Sequence, residues 1–206
     1  MKAKLDKERS ALTNPSDEAT RQIDQLGDYE ILPQLARRTV DTYIRERRVI
    51  ASPELIPDSP LHQPAACFVS IKTVDDDLRG CIGTIEPIYP TLAEELIANA
   101  ISAATRDPRF PPVLVAELPH LRFSVDVLAA PEPAQMTDLD PENYGVIVTD
   151  ETGRQRGLLL PAIEGVETVK QQVSIAARKA GLRADMRLKL YRFRVQRFSE
   201  QPNMAQ

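Results

Sequence analysis

The sequence predicts an α+β fold in which antiparallel sheet packs against helices, and three observations support this class. Several strand-like segments are joined by short turns, and three other segments show the helical spacing of apolar residues. Strands and helices do not alternate regularly, as they would in a doubly wound parallel sheet. The chain of 206 residues suits one domain, or one domain with a small lobe.

The first predicted element is a helix that begins near Ile31. Before it, residues 1–27 are polar and lack periodic apolar positions, so we expect a mobile N-terminal tail. The domain is expected over 28–198, followed by a C-terminal tail over 199–206, and Asp28 can serve near the N-cap of the helix. Its apolar stripe consists of Ile31, Leu32, Leu35, Ala36, Val40, Tyr43 and Ile44.

A hairpin follows an extended loop over 52–64 that holds four prolines. The first strand covers 66–74, and three aspartates at 75–77 form the turn. The segment 78–84 returns as the second strand and carries Cys81.

A second helix begins at Thr91, where Thr91 and Glu94 match a capping box, and it stops near Thr105. The segment 106–112 is predicted to be extended, because a residue before proline is biased away from the helical region. Residues 121–128 alternate apolar and polar side chains, which predicts a half-buried strand.

The C-terminal part contributes two short strands, over 145–149 and 157–160, and a third helix. Thr168 opens that helix with a capping box and Gly181 closes it. A last strand is predicted over 187–198, with a bulge where the apolar parity shifts after Leu190. The same region carries a local charge of +7 in a chain of net charge −4, which indicates either a phosphate-binding face or an exposed strand edge protected by charge. Its basic residues are Arg178, Lys179, Arg183, Arg187, Lys189, Arg192, Arg194 and Arg197.

Composition excludes several classes of protein. The net charge gives no global nucleic-acid signature, and no apolar run is long enough to span a membrane. The polar N-terminus lacks a signal-peptide core, and two cysteines make no disulfide framework, so the cytoplasm is the expected location. The cysteines and two histidines are not paired at metal-binding spacing, and no dinucleotide or phosphate-loop motif is present. We therefore expect no metal and no cofactor.

The first candidate site surrounds Cys81, which lies between Gly80 and Gly83 and beside Arg79. Glycines in a strand mark a close approach to the backbone, and their uncrowded amides could bind an anion. A thiol next to a cation can have a lowered pKa and act as a nucleophile, and Glu86 lies close by in sequence. The alternative is a buried, structural cysteine.

The second candidate site is the segment Arg106, Asp107 and Arg109 around a proline. Two arginines on a rigid loop could grip a phosphate or carboxylate. Alternatively, Arg106 caps the carbonyls of the preceding helix and Asp107 pairs with Arg109.

Three blocks of sequence resemble the AMMECR domain family. They are LRGCIGT at 78–84, RDPRFPP at 106–112 followed by ELP at 117–119, and GLLLP at 157–161. The resemblance covers about residues 30–198 and is strongest to the bacterial branch. It implies a larger and a smaller subdomain with antiparallel sheet, and a cleft bordered by both the cysteine motif and the arginine block.

The resemblance implies a function in an AmmeMemoRadiSam system, beside a Memo-like protein and a radical SAM protein. The chain would be a cysteine-dependent enzyme or an accessory subunit of a modification reaction, with Cys81 as the catalytic residue. The anionic ligand would be a small molecule or RNA. The alternative is a non-catalytic adaptor, or a module that binds substrate or nucleic acid. Because closely spaced cysteine triplets are absent, the chain is not expected to hold an iron–sulfur cluster itself.

Overall fold

The computed structural model describes residues 31–53, 59–183 and 186–200, which form two antiparallel four-stranded sheets and three α-helices. The predicted N-terminal tail and Asp28 lie outside these residues. The helices are α1 (Ile31–Glu46), α2 (Leu92–Thr105) and α3 (Val169–Lys179). The strands are β1 (Cys67–Thr73), β2 (Leu78–Gly83), β3 (Leu121–Leu128), β4 (Glu132–Ala134), β5 (Gly145–Thr149), β6 (Arg156–Leu159), β7 (Lys189–Phe193) and β8 (Val195–Ser199).

The larger subdomain consists of the sheet β2-β1-β3-β8 with α1 and α2 packed on one face. Alternation along β1 directs Val69 and Ile71 toward the helices, and the facing stripe of α1 buries Leu32, Leu35 and Val40. The predicted helices and the predicted hairpin are confirmed here. Thr91 caps α2 by accepting the backbone amide of Glu94, as its sequence indicated.

The smaller subdomain consists of the sheet β4-β7-β5-β6 covered by α3. Gly157 permits close contact between β6 and α3, because a Cβ at this position would overlap the carbonyl oxygen of Ala176. The predicted C-terminal glycine of α3 is confirmed, since Gly181 has a φ of +70°. A shared apolar cluster of Ala66, Leu128, Ile147, Leu158 and Phe193 joins the two subdomains.

The structure corrects the predicted last strand. Instead of one bulged strand over 187–198, the chain forms β7 in the smaller sheet and β8 in the larger one, with the break at Arg194. The residues before Arg194 pair with β4 and β5, and those after it pair with β3, so the chain changes sheet there. Ser199, placed in the C-terminal tail by sequence, is the last residue of β8, and the Glu200 carboxylate next to it accepts a hydrogen bond from the Phe123 amide.

Two further differences concern proline-containing segments. The segment 106–112, expected to be extended, contains a turn closed by the Phe110 amide, which donates to the carbonyl of Asp107. Pro108 occupies the second position of this turn, where its fixed φ is favourable. The short strand β4, which includes Pro133, was not predicted.

Within the described residues, no helix is long and apolar enough to cross a membrane.

Candidate functional site

Cys81 lies in β2 at the edge of the larger sheet, on the face opposite α1 and α2. Its direct neighbour across the strand pair is Ser70, whose hydroxyl donates to the Cys81 sulfur at 3.2 Å. The same register continues to Ser124 in β3 and Ser199 in β8. The outer face of the sheet therefore presents a thiol and three hydroxyls in one row, one from each strand.

Asp107 connects the arginine block to the cysteine motif. Because β2 is an edge strand, its outward amides need partners from outside the sheet, and the Cys81 amide donates to Asp107 Oδ2 at 2.9 Å. Arg109 donates to the same carboxylate from Nε at 2.9 Å and from Nη2 at 2.7 Å. These hydrogen bonds hold the pKa of the buried Asp107 carboxyl well below its usual range, and the side-chain hydrogen bonds from Arg109 have the largest effect.

Arg79 fixes the other end of the same loop. Its guanidinium donates to both carboxylate oxygens of Glu117, at 2.7 and 3.1 Å, and to the carbonyl of Pro111 at 3.0 Å. The Arg79 side chain is 12% exposed, and each of its three nitrogens donates to a partner on this loop. Arg79 therefore ties the loop to β2 and presents little surface to a ligand.

Two cations from outside the sheet interact with Cys81 and remain accessible. Arg109 has a side chain that is 54% exposed, and its Nη1 has no partner within the described ranges. Lys179, at the end of α3, forms no ion pair or hydrogen bond with any residue that the structure describes. The pKa of its ammonium is lowered, and partial desolvation by surrounding protein atoms is the largest cause, although the residue as a whole is exposed. The charge of Arg109 lowers the pKa as well. One cation thus comes from each subdomain.

Burial dominates the electrostatics of the Cys81 thiol. It raises the pKa of Cys81, whereas the hydrogen bond from Ser70 and the charge of Arg109 lower it by less. The charges of Asp126 and Asp107 raise the pKa further. The lowered pKa expected from Arg79 is not found, since Glu117 neutralises that guanidinium and burial outweighs the remaining cation.

The glycines of the motif serve close packing. A Cβ at Gly80 would overlap the carbonyl oxygen of Ala103 in α2, and one at Gly83 would overlap the Phe68 ring and the carbonyl of Cys67. Neither glycine has a positive φ. Gly80 brings β2 against α2, and Gly83 leaves room for the Phe68 ring next to the strand.

Sequence comparison decides the family. The AMMECR1 family model matches residues 33–199, most of the chain. The chain belongs to the AMMECR1 family. A Thermotoga maritima protein is 47% identical over 165 residues, which cover 79% of this chain and 94% of that protein. Protein CA_C1420 of Clostridium acetobutylicum is 44% identical over 168 residues, which cover 81% of this chain and only 35% of the Clostridium protein.

The AMMECR1 fold is supported by a solved structure. The crystal structure of the uncharacterized protein PH0010 from Pyrococcus horikoshii matches with a TM-score of 0.74 and 33% identity. The match covers 84% of this chain and 91% of the Pyrococcus chain. The α+β class with antiparallel sheets is therefore shown.

Not all residues singled out by the sequence lie beside Cys81. Cys81, Asp107 and Arg109 come together, while Glu86 pairs with Arg156 of the smaller subdomain at 2.7 Å. Arg106, adjacent to Asp107 in sequence, lines a separate cavity between α1 and α2. No group of three or more potential metal ligands occurs in the part of the chain that the structure describes.

The basic C-terminal run does not form one free surface. Arg192 donates to Glu132 at 2.6 Å, Arg197 forms a fork with Asp126, and both Arg192 and Arg194 stack on the Tyr144 ring. Lys179 and Arg197 are the members whose charges interact with Cys81, and Arg197 is held by Asp126. Sequence reasoning named Lys179 only as part of this run, and it missed Ser70, because both approach Cys81 through strand register and subdomain packing.

Proposed function

We propose that the protein is the substrate-binding component of a modification reaction, and that the cleft around Cys81 receives an anionic group of the substrate. The observation that carries this proposal is the pair of available cations, Arg109 and Lys179, whose charges interact with a half-buried thiol. Asp107 already holds Arg109 in place, so the guanidinium loses little freedom when it binds a ligand. A free Nη1 beside an unpaired ammonium suits a phosphate or carboxylate.

The row of hydroxyls suggests what surrounds the anionic group. Ser70, Ser124 and Ser199 occupy successive strands, and neighbouring strands lie about 4.8 Å apart. Hydroxyls at this spacing suit a substrate with several polar atoms next to its charge, such as a sugar phosphate or a nucleotide. We favour such a small molecule as substrate, with RNA as the alternative.

Cys81 is proposed to contact the substrate as a neutral thiol. Its raised pKa keeps the sulfur protonated near neutral pH, and the two histidines lie outside the set of charges that act on it. A catalytic role for Cys81 therefore requires that a bound substrate or partner supply the base. Without one, the protein acts as the adaptor that presents the substrate.

The proposed partners are a Memo-like protein and a radical SAM protein, as in an AmmeMemoRadiSam system. With two cysteines in the whole chain, the iron–sulfur chemistry would belong to the radical SAM partner. The Clostridium relative supports a shared task, because its AMMECR1 region is part of a much longer protein. Co-elution of the three purified proteins, tested with and without the substrate, addresses this part of the proposal.

Ligand binding is tested by titrating inorganic phosphate, ribose 5-phosphate, AMP, citrate and a short single-stranded RNA, with calorimetry as the measurement. Lys179→Gln is expected to weaken binding of the preferred anion by about tenfold. The matched control is Lys170→Gln, an exposed lysine elsewhere on α3. Equal loss in both variants, or none in Lys179→Gln, would contradict the proposed site.

A further inference from the structure

A second cavity, of about 480 Å³, lies on the other side of the larger subdomain. It is formed by α1, the segment 49–52 and the outer stripe of α2, and it shares no lining residue with the Cys81 site. Its volume falls within the range of small-molecule sites in proteins.

The cavity is an elongated groove with an apolar floor. Ile97, Ala98 and Ile101 follow one another on a single stripe of α2 and form its base. The stripe extends from Glu94 to Arg106, and the twelve steps between these residues span about 18 Å along the helix. Exposed apolar side chains continue along the rim, where Val49 is 57% exposed and Tyr89 is 43% exposed.

The two ends of the groove carry opposite charges. The acidic side chain is engaged within the protein, and the basic side chain has no partner among the described residues. At one end, the Glu94 carboxylate accepts the hydroxyl of Thr91 at 3.1 Å and is part of the cap of α2. At the other end, the backbone amide of Arg106 closes the helix by donating to the Ser102 carbonyl. The Arg106 guanidinium has neither an acidic partner nor a helix carbonyl among the described residues.

We propose that this groove binds an elongated amphipathic small molecule with one anionic head. Its hydrocarbon or aromatic body would lie on Ile97 and Ile101, and its carboxylate or phosphate would pair with Arg106. An exposed guanidinium next to buried isoleucines fits such a molecule, because apolar burial and a charge-assisted hydrogen bond then act together. A fully polar anion lacks the first contribution and a neutral hydrocarbon lacks the second.

The test uses four ten-carbon probes on the full chain, each below its micelle concentration: decanoate, decyl phosphate, 1-decanol and decylamine. Calorimetry is expected to show that one or both of the anions bind more tightly than the alcohol and the amine. Arg106→Gln is expected to weaken the anions by about tenfold and leave the alcohol unchanged. Arg38→Gln, an exposed arginine on α1 that does not line the groove, is the matched control.

A second variant tests the place of the hydrocarbon body. Ala98→Phe puts a ring over the floor of the groove and is expected to abolish binding of decanoate and decyl phosphate, with folding checked by the melting temperature. Equal affinities for decanoate and 1-decanol, an unchanged anion affinity in Arg106→Gln, or full binding to folded Ala98→Phe would each overturn the proposal. Lys179→Gln should leave these affinities unchanged, which separates this groove from the Cys81 cleft.

Discussion

The two faces of the larger sheet differ in what they bury, and each face carries one of the two cysteines. Cys67 points toward α1 and α2, is fully buried, and has its pKa raised to about 12 by that burial. Its neighbour Asn99 donates to its backbone carbonyl at 3.0 Å. Cys81 points to the opposite face, is half-buried, and lies beside Ser70 and the exposed Arg109.

The two faces of one strand pair therefore have different roles: the inner face stabilises the fold, and the outer face carries the proposed binding site. Along β1, Cys67, Val69 and Ile71 face the apolar core, whereas Ser70 between them faces the side that carries Cys81. The inner face is closed by helices, and substitutions there act on packing. The outer face keeps accessible cations and hydroxyls, and substitutions of Lys179 or of these serines should act on binding with little effect on folding.

The largest effect is expected from Gly80→Ala, which acts on the inner face. The added methyl group would overlap the Ala103 carbonyl, and a helix backbone cannot yield as a side chain can. We expect a loss of about 3 kcal/mol in the free energy of unfolding. Urea denaturation measures it, with Cys81→Ser as the neighbouring control. An unchanged midpoint for Gly80→Ala would mean that β2 and α2 are not in this close contact.

The fold could be predicted largely from local patterns. The stripe of α1, the N-cap at Thr91 and the alternation in β3 depend on neighbours a few residues apart, and all three are found. Of the capping box predicted at Thr91, the structure shows the half in which Thr91 accepts the Glu94 amide, while the Glu94 carboxylate accepts the Thr91 hydroxyl. The split between β7 and β8 could not be predicted, because nothing local indicates that Arg194 lies where the chain changes sheet. A sequence pattern indicates which residues of a strand face the core, but it does not indicate which sheet the strand joins.

The candidate site could be predicted only in part, for the same reason. Asp107 and Arg109 are near each other in sequence, so their pairing was one of the expected alternatives. The fork between Arg79 and Glu117 joins residues 38 positions apart and removes Arg79 from the cleft. Lys179 comes from the other subdomain, and only the packing of the two sheets brings it to Cys81.

A smaller effect is expected from Asp107→Asn, because the Asp107 carboxylate links the loop to the edge of the sheet. The folded-state pKa of Asp107 is lowered, so its contribution to stability is present above its unfolded pKa of about 3.9 and is lost as the pH falls. We expect a loss of about 1–2 kcal/mol at pH 7 and a shallower decline of stability below pH 4. Thermal unfolding from pH 2.5 to 7 measures both.

Asp75→Asn is the control for that pH profile, since Asp75 is exposed in the hairpin turn. Its profile should follow that of the unmodified protein throughout. If the Asp107→Asn profile also does so, the Asp107 carboxylate is not held by Cys81 and Arg109 in solution, and the cleft loses the positioning of its guanidinium.

The smallest effect on stability is expected from Cys81→Ser, on the outer face. A serine hydroxyl can keep the contact with Ser70, so the free energy of unfolding should change by less than about 1 kcal/mol. Cys67→Ser should cost more, because it places a hydroxyl in the apolar core.

Timed alkylation with iodoacetamide, followed by peptide mass spectrometry, compares the accessibility of the two thiols directly. Cys81 should react first, at a rate that still rises above pH 9 because its pKa is raised, while Cys67 stays unmodified until the protein unfolds. Equal labelling of both thiols would show that the two faces are not separated as the structure indicates.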